Sequence, residues 1–382
     1  MTGRLGSAAL VAREAGRIAL DRLGPGRSSV PATVADVTPG WLTTTLRLGA
    51  QVDVADLLDE DAGTTTRVRV GLHWNKAADG LPSSVFVKIA PRPFKTRLFA
   101  NLMALGDREV RFYRQIRPDV PVRTPAVYGL ESEPRRGRFA LVLEDLAAGE
   151  AQFDDIRRAC RPDQAEAVVV ALGQLHAAFW ESRRFTSDLA WVGSHRTDAA
   201  APLVDALVRR SVRQVEATFP QLLPAEVRRL GPTIASRRPE VDALLATAPL
   251  TLQHGDTHRG NLWFDDGVPG FFDWQVVRCG PGVRDVSYFL VTSMATDERE
   301  AHQRDLIRSY VQSLKTSGAP DIGFEAVYAS YRLHAVEPWI ASTVTAAFGG
   351  LQAAEIAAVG LRRSVAAVCE LGTFESLRRL LV

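Results

Sequence analysis

The chain has only three cysteines in 382 residues, Cys160, Cys279 and Cys369, odd in number and far apart. No disulfide framework can be built from them, and a reducing compartment is expected. Long apolar runs are missing too. Stretches such as 167–173 fall well short of the ~20 residues a membrane-spanning helix needs. Near the start, Arg13 and Glu14 interrupt what would be the apolar centre of a signal peptide at 7–12, so 3–23 reads as an amphipathic helix. A cytoplasmic protein without a membrane partner is the expectation. Charge of one sign is also lacking. Lys and Arg number 46 against 44 Asp and Glu, a net +2 that gives no reason to invoke nucleic acid. There is no internal repeat and no low-complexity tract. What is left, 46% hydrophobic and 24% charged, describes a globular protein with a full core. The length suits two domains or two lobes.

One stretch carries most of the chemistry: His254-Gly255-Asp256-Thr257-His258-Arg259-Gly260-Asn261, followed by Phe271-Phe272-Asp273-Trp274. It offers an Asp, an Asn five residues on, and a second Asp behind an apolar strand. Phosphoryl transfer from a nucleotide needs that set. One carboxylate accepts the proton of the attacking hydroxyl, while an amide oxygen and a second carboxylate hold magnesium against the phosphates. Magnesium prefers oxygen ligands and keeps water and phosphate oxygens in its other positions, so two protein oxygens suffice. Residues 261–264 and 270–272 read as short strands around the turn Asp265-Asp266-Gly267. Such a hairpin would bring Asn261 and Asp273 together at its open end, with Asp256 on the loop feeding it.

Upstream, Ser84-Val85-Phe86-Val87-Lys88-Ile89 is a strand-like run with one lysine, and Glu109 opens a probable helical segment, Glu109-Val110-Arg111-Phe112-Tyr113. A strand lysine paired with a helical glutamate is how kinases grip the α- and β-phosphates. The buried-type strand at 139–146 ends in Leu143-Glu144-Asp145, where a connection between two lobes would offer backbone groups to the nucleotide base.

Elsewhere, Gly24-Pro25-Gly26-Arg27-Ser28-Ser29 reads as a flexible break, and Thr38 with Pro39 as a helix start. Strand patterns at 52–58 and 67–73 lead a strand-dominated stretch to 146 that holds one helix near 107–116. After 147 the texture turns helical, at 161–180, 202–218, 225–237, 297–316, 324–343 and 353–381. The fold class expected is α+β.

With these residues assembled, the chain resembles the aminoglycoside phosphotransferase and choline kinase superfamily of small-molecule kinases, and within it the phosphotransferase and ecdysteroid-kinase-like branches. The resemblance runs from about 41 to 288. The family's HGDxxxxN loop matches His254, Gly255, Asp256 and Asn261; its second metal-binding Asp matches Asp273; its lysine and glutamate match Lys88 and Glu109. The Leu-Gly-x-Leu-His-x-x-Phe-Trp helix appears at 172–180. The resemblance implies a two-lobed protein-kinase-like fold. It would comprise a helical extension at 1–30, a small sheet-rich N-lobe at 31–146 and a larger helical C-lobe at 147–382. It also implies transfer of the γ-phosphate of ATP or GTP, with Mg2+, to a hydroxyl of a small metabolite or antibiotic. Asp256 would be the catalytic base, Asn261 and Asp273 the metal ligands. Gly63, Thr64, Thr65, Lys88, Glu109, Leu143, Glu144 and Asp145 would bind the nucleotide.

Two departures stand out. No GxGxxG is present, and the expected phosphate loop holds only Gly63 with Thr64, Thr65 and Thr66. The protein-kinase His-Arg-Asp is absent, with Gly255 in the arginine's place. Only eleven residues separate Asp273 from Asp285, too few for a long segment that presents a peptide, so a small acceptor is favoured. The last helices mix Glu325, Glu337, Glu355, Glu370 and Glu375 with arginines and with apolar stretches at 344–351 and 353–361, which leans toward a neutral or partly apolar alcohol over a polycation.

Each residue has a bland reading as well. Lys88 alone is a solvated edge lysine, Asp285 a helix cap (though the resemblance implies that it also braces the catalytic loop), His254 a loop support and His176 a hydrogen-bonded core histidine. Two other functions remain open: a catalytically inactive kinase-fold binding protein, and a zinc-dependent hydrolase using His254, Asp256 and His258.

Overall fold

The computed structural model describes residues 2–23, 28–76, 80–194, 199–348 and 352–381. Residues 24–27 of the expected break and 349–351 of the 344–351 stretch lie outside the described residues. The chain divides into two compact units, one of 1–118, 124–152 and 273–276, the other of 119–123, 153–272 and 277–382.

The first unit is built on one antiparallel sheet. Its strands are β1 (Val52–Ala62), β2 (Thr66–Trp74), β3 (Ser84–Ile89), β4 (Val127–Glu133) and β5 (Arg138–Glu144), in the order β1-β2-β3-β5-β4. The period-two alternation of β3 decides its faces. Val85, Val87 and Ile89 join Val68, Val70, Ala140 and Val142 in one apolar cluster. Lys88 therefore points to the opposite face. Helices α1 (Thr2–Leu23), α2 (Pro39–Leu46), α3 (Phe94–Leu102) and α4 (Leu105–Gln115) complete the unit. Thr38 caps α2 as expected, its hydroxyl accepting from Trp41 N. β1 runs past the expected 52–58 through a series of acids. It is an edge strand with most side chains exposed, so the acids stay in water.

Helix α3 was not expected from the sequence, where the strand-dominated stretch to 146 holds one helix, near 107–116. Pro93 stands at its N-cap, and Arg97 is buried along with Ala100. The placing of α4 depends on Gly106. A Cβ there would lie 2.1 Å from the Phe139 ring, so only glycine lets this helix sit on β5.

The second unit is mostly helical: α5 (Pro162–Ala178), α6 (Ala201–Thr218), α7 (Ala225–Ser236), α8 (Arg238–Leu245), α9 (Val283–Ser293), α10 (Thr296–Thr316), α11 (Phe324–His334), α12 (Val336–Ala347), α13 (Ala354–Glu370) and α14 (Thr373–Leu380). Two long helices of the sequence reading are each divided. The 324–343 segment breaks at Ala335, because Pro338 has no N–H to give the His334 carbonyl. The 353–381 segment breaks at Gly372, whose φ of 60 leaves the helical region.

Two small antiparallel pairings interrupt the helices. Leu250–Gln253 pairs with Arg278–Pro281, and Leu262–Asp265 pairs with Val268–Phe271. The second hairpin turns on Asp266 and Gly267, both with positive φ (51 and 77), the geometry a two-residue turn needs to match strand twist. The whole is the mixed α+β architecture expected, sheet-rich toward the N-terminus and helical toward the C-terminus.

Candidate functional site

In the first unit, Lys88, Glu109 and Asp273 form one buried cluster. Lys88 Nζ donates to Glu109 Oε1 at 2.8 Å and Oε2 at 3.0 Å, and to Asp273 Oδ1 at 2.8 Å. Lys88 is not a solvated edge residue: its side chain is 4% exposed and that of Glu109 0%. Burial opposes the ammonium charge, but Asp273 and Glu109 outweigh it and hold the amine above its ordinary range. Burial pushes the Glu109 carboxyl up to about 7, against the pull of Lys88.

Asp273 has φ 65, a left-handed conformation that costs a non-glycine residue roughly 1–3 kcal/mol and persists only where neighbours impose it. Here the neighbours are identifiable. Trp274 stacks on Phe112 of α4, rings 4.0 Å apart and 7° from parallel, three residues along the helix from Glu109. Gln275 Nε2 donates to Asp273 Oδ2 at 3.4 Å.

The expected phosphate loop is the short connection between β1 and β2. Gly63 N donates to Thr65 O at 2.9 Å, Thr65 is buried, and Thr64 Oγ1 donates to Gln275 Oε1 at 3.3 Å. At the end of β5, Leu143 is buried and paired to Phe86 and Val127. The Glu144 carboxylate accepts from Ala126 N. Asp145 accepts from Arg69, from Ser84 Oγ at 2.6 Å and from Ala147 N. Burial raises the Asp145 pKa, but the Arg69 and Ser84 hydrogen bonds prevail and lower it. These two carboxylates are structural, so main-chain groups are what this segment has to offer a ligand.

In the second unit, the 254–261 loop is held from several sides. Asp285, fully buried in the first turn of α9, accepts from His254 N at 2.6 Å and Gly255 N at 3.1 Å. It thus braces the loop and is not the helix cap of the bland reading; Gly282 stands at the cap. Thr257 Oγ1 donates to Asp285 O and Arg284 Nη1 to Gly255 O. His176 supports Asp285 in turn, with Nδ1 on Tyr310 Oη at 2.9 Å and Nε2 3.6 Å from the Asp285 carboxylate. Gly255 has φ 90, which explains a glycine where the protein-kinase pattern His-Arg-Asp carries arginine.

Asp256 is half-buried. Asn261 Nδ2 donates both to Asp256 O at 2.9 Å and to Oδ2 at 3.1 Å. That fixes the amide orientation and directs the Asn261 oxygen away from Asp256, as an acceptor of the type a hard cation takes. His258 Nδ1 accepts from Gly260 N, so its proton sits on Nε2, 3.6 Å from Asp256 Oδ2. Burial would raise the Asp256 pKa, but His258, the Tyr288 hydroxyl and His254 outweigh it and hold the carboxyl well below the usual carboxylate range.

The same hydrogen bonds count against zinc. Both His254 nitrogens face main chain, Nε2 at Phe272 O and Nδ1 at Asp256 N. Among the described residues no cluster of three or more His, Cys, Asp or Glu could hold a metal ion. The oxygens of Asn261 and Asp273 are instead the donor type that magnesium takes.

A family model described as the ecdysteroid kinase-like family matches residues 59–319, more than half of the chain. The chain belongs to the ecdysteroid kinase-like family. Among solved structures, this ecdysteroid kinase-like protein is similar to a variant of aminoglycoside 2′-phosphotransferase IIIa in complex with GDP. Identity is 10%, with 84% of this chain and 93% of that chain covered and a TM-score of 0.50. It is also similar to an amicoumacin kinase in complex with AMP-PNP, Ca2+ and Ami, at 14% identity, 83% and 88% coverage and TM-score 0.50. An ethanolamine kinase of Plasmodium vivax is a looser match, at 11% identity, 85% and 83% coverage and TM-score 0.48. At such identities the likeness concerns the fold, which is that of small-molecule phosphotransferases. No curated protein matches the chain.

Sequence reasoning passed over three residues of this ecdysteroid kinase-like chain. Gln275 lies two positions after Asp273, where a second polar side chain on the same short segment is a usable signal. Arg284 and Tyr288 are four apart on α9 and share a face, with the Arg284 guanidinium 5.5 Å from the Tyr288 ring centroid. Among the described residues, no helix is long and apolar enough to cross a membrane.

Proposed function

We propose that this chain is a small-molecule kinase that moves the γ-phosphate of a nucleoside triphosphate, ATP or GTP, to a hydroxyl of a small acceptor. The observation that carries the reading is the buried Lys88–Glu109–Asp273 cluster in a member of a kinase-like family. A solvent-excluded lysine held between two carboxylates is poorly explained as a stabilising device, since burying three charges costs more than an apolar replacement would. It is well explained as a phosphate grip.

In this reading Lys88 neutralises phosphate charge and Glu109 fixes its position. Asn261 and Asp273 hold the magnesium ion, which when bound draws charge from the phosphate oxygens. Asp256 orients the acceptor hydroxyl and takes its proton. The transition state of phosphoryl transfer is loose, so the carboxylate's task is chiefly to orient the hydroxyl. Positioning and fixed charge then supply most of the acceleration. The main chain at 143–145 is our choice for the nucleotide base, and the 63–65 turn for the phosphates. The same roles assign 31–146 to an N-lobe and 147–382 to a C-lobe, with a cytoplasmic location.

For the acceptor we favour a neutral or partly apolar alcohol. Four of the five glutamates of the last helices are taken by arginine: Glu325 by Arg304, Glu337 by Arg284, Glu370 by Arg299, Glu375 by Arg229 and Arg378. A polycationic acceptor would need carboxylates left available. The deciding experiment is titration of the purified protein with ATP and GTP, with and without Mg2+, followed by a phosphorylation screen of neutral and cationic alcohols. Mg2+-dependent nucleotide binding and a phosphorylated neutral alcohol are expected. Absence of nucleotide binding in Mg2+ would remove the reading.

A further inference from the structure

The 63–65 turn lacks the glycines that let a backbone close around a triphosphate, and its order has another visible source. Thr64 Oγ1 donates to Gln275 Oε1 at 3.3 Å, and Gln275 Nε2 donates to Asp273 Oδ2 at 3.4 Å. Gln275 is 9% exposed, so bulk water competes little for either end of its amide. Gly63 N closes on Thr65 O, which ties down the turn's main chain. The Asp273 oxygens are divided: Oδ1 faces Lys88 and Oδ2 faces Gln275. Each carboxylate oxygen has a second lone pair, so both contacts leave room for a cation.

We infer that Gln275 is a positioning residue that couples the Thr64 turn to Asp273, setting the phosphate turn and the metal-binding carboxylate as one unit before a nucleotide arrives. The inference rests on the kinase reading above and deepens it. Glutamine is the side chain that fits both links, since its oxygen accepts from a hydroxyl while its nitrogen donates to a carboxylate. A glutamate would set an acceptor against Asp273, and a leucine would supply neither link. Ordering the turn in advance removes that cost from nucleotide binding, which is how a glycine-poor turn can serve phosphates.

The test compares wild type, Thr64→Val, Gln275→Leu and the double variant. Two quantities are read: affinity for a non-hydrolysable ATP analogue in Mg2+, and amide hydrogen exchange across 63–66 in the ligand-free, metal-free protein. Each single change should weaken binding about three- to tenfold, the loss expected for one hydrogen bond. The double should be no more than about twofold weaker than the weaker single, because each change breaks the same relay. Both singles should speed exchange in the turn to a similar degree with the global unfolding midpoint unchanged. Thr64→Ser, which keeps the hydroxyl, should restore both readings. Losses that multiply in the double, or turn exchange unmoved by Gln275→Leu, overturn the coupling and leave the kinase reading standing. A wild type that binds no nucleotide removes the kinase reading, and the exchange data then judge the Thr64–Gln275 link alone.

Discussion

Lys88 Nζ lies 2.8 Å from Asp273 Oδ1, the same distance it keeps from Glu109 Oε1, so one buried ammonium balances two carboxylates 164 positions apart in the chain. Removing it leaves those carboxylates facing each other without a counter-charge. Lys88→Met should therefore cost about 3–5 kcal/mol, the range for breaking a buried ion pair from one side. Glu109→Gln keeps a hydrogen-bond acceptor for Lys88 and should cost less. Urea unfolding at pH 7 compares the two, and a Lys88→Met variant as stable as wild type would contradict the burial described.

Asp256 makes its contacts through Asn261, His258 and Tyr288, all outside the Lys88 cluster. Asp256→Asn should accordingly lose about 100- to 10,000-fold in turnover, the usual weight of a positioned acid–base group. Nucleotide affinity should stay within about twofold of wild type. Turnover is followed by release of ADP with the identified acceptor, and affinity by calorimetry. Near-wild-type turnover would take the base role away from Asp256.

Much of this was legible in the sequence because it is written in local patterns. Alternation in 84–89 set the direction of Lys88, and Asp266-Gly267 set a hairpin that begins one residue after Asn261. The Thr38-Pro39 helix start followed from capping chemistry. What the sequence hid was set by packing between distant segments. Nothing in Gly106 alone announces that Phe139 needs the space of its missing side chain. Local pattern alone reads Asp285 as a helix cap, and its role as a brace came only from the resemblance, because its partners His254 and Gly255 lie some thirty residues away. The divided helices at Ala335 and Gly372 were within reach, since Pro338 and Gly372 are themselves the breaking signals.

The Asp285 brace gives a pH dependence. Burial opposes its charge, but the His176 ring 3.6 Å away, with Arg284 and His254, lowers its pKa below the ordinary value. A carboxyl lowered in the folded state stabilises fully above its unfolded pKa of about 3.9, and that contribution is lost as pH falls toward the folded value. Wild type should therefore lose stability progressively below about pH 4. Asp285→Asn should be less stable at pH 7 and show a shallower decline over that acid window. Thermal unfolding between pH 2.5 and 7 measures both slopes; parallel curves would mean Asp285 is not the group responsible.

Gly255 separates backbone strain from chemistry. Its φ of 90 is open to glycine and hostile to alanine, its N–H is held by Asp285, and its carbonyl accepts from Arg284. Gly255→Ala should cost about 1–2 kcal/mol of stability. If Asp256 is the base, turnover should fall by more than about tenfold, because the shifted peptide is the one that carries Asp256 and a small displacement is amplified in rate. Gly267 is the matched control. It has φ 77 in the hairpin turn and nothing within 4 Å of an added Cβ, so Gly267→Ala carries similar strain away from Asp256. Its stability loss should resemble that of Gly255→Ala while its turnover stays within about twofold of wild type. Equal losses of turnover in the two variants would show that general destabilisation, and not the position of Asp256, governs the rate.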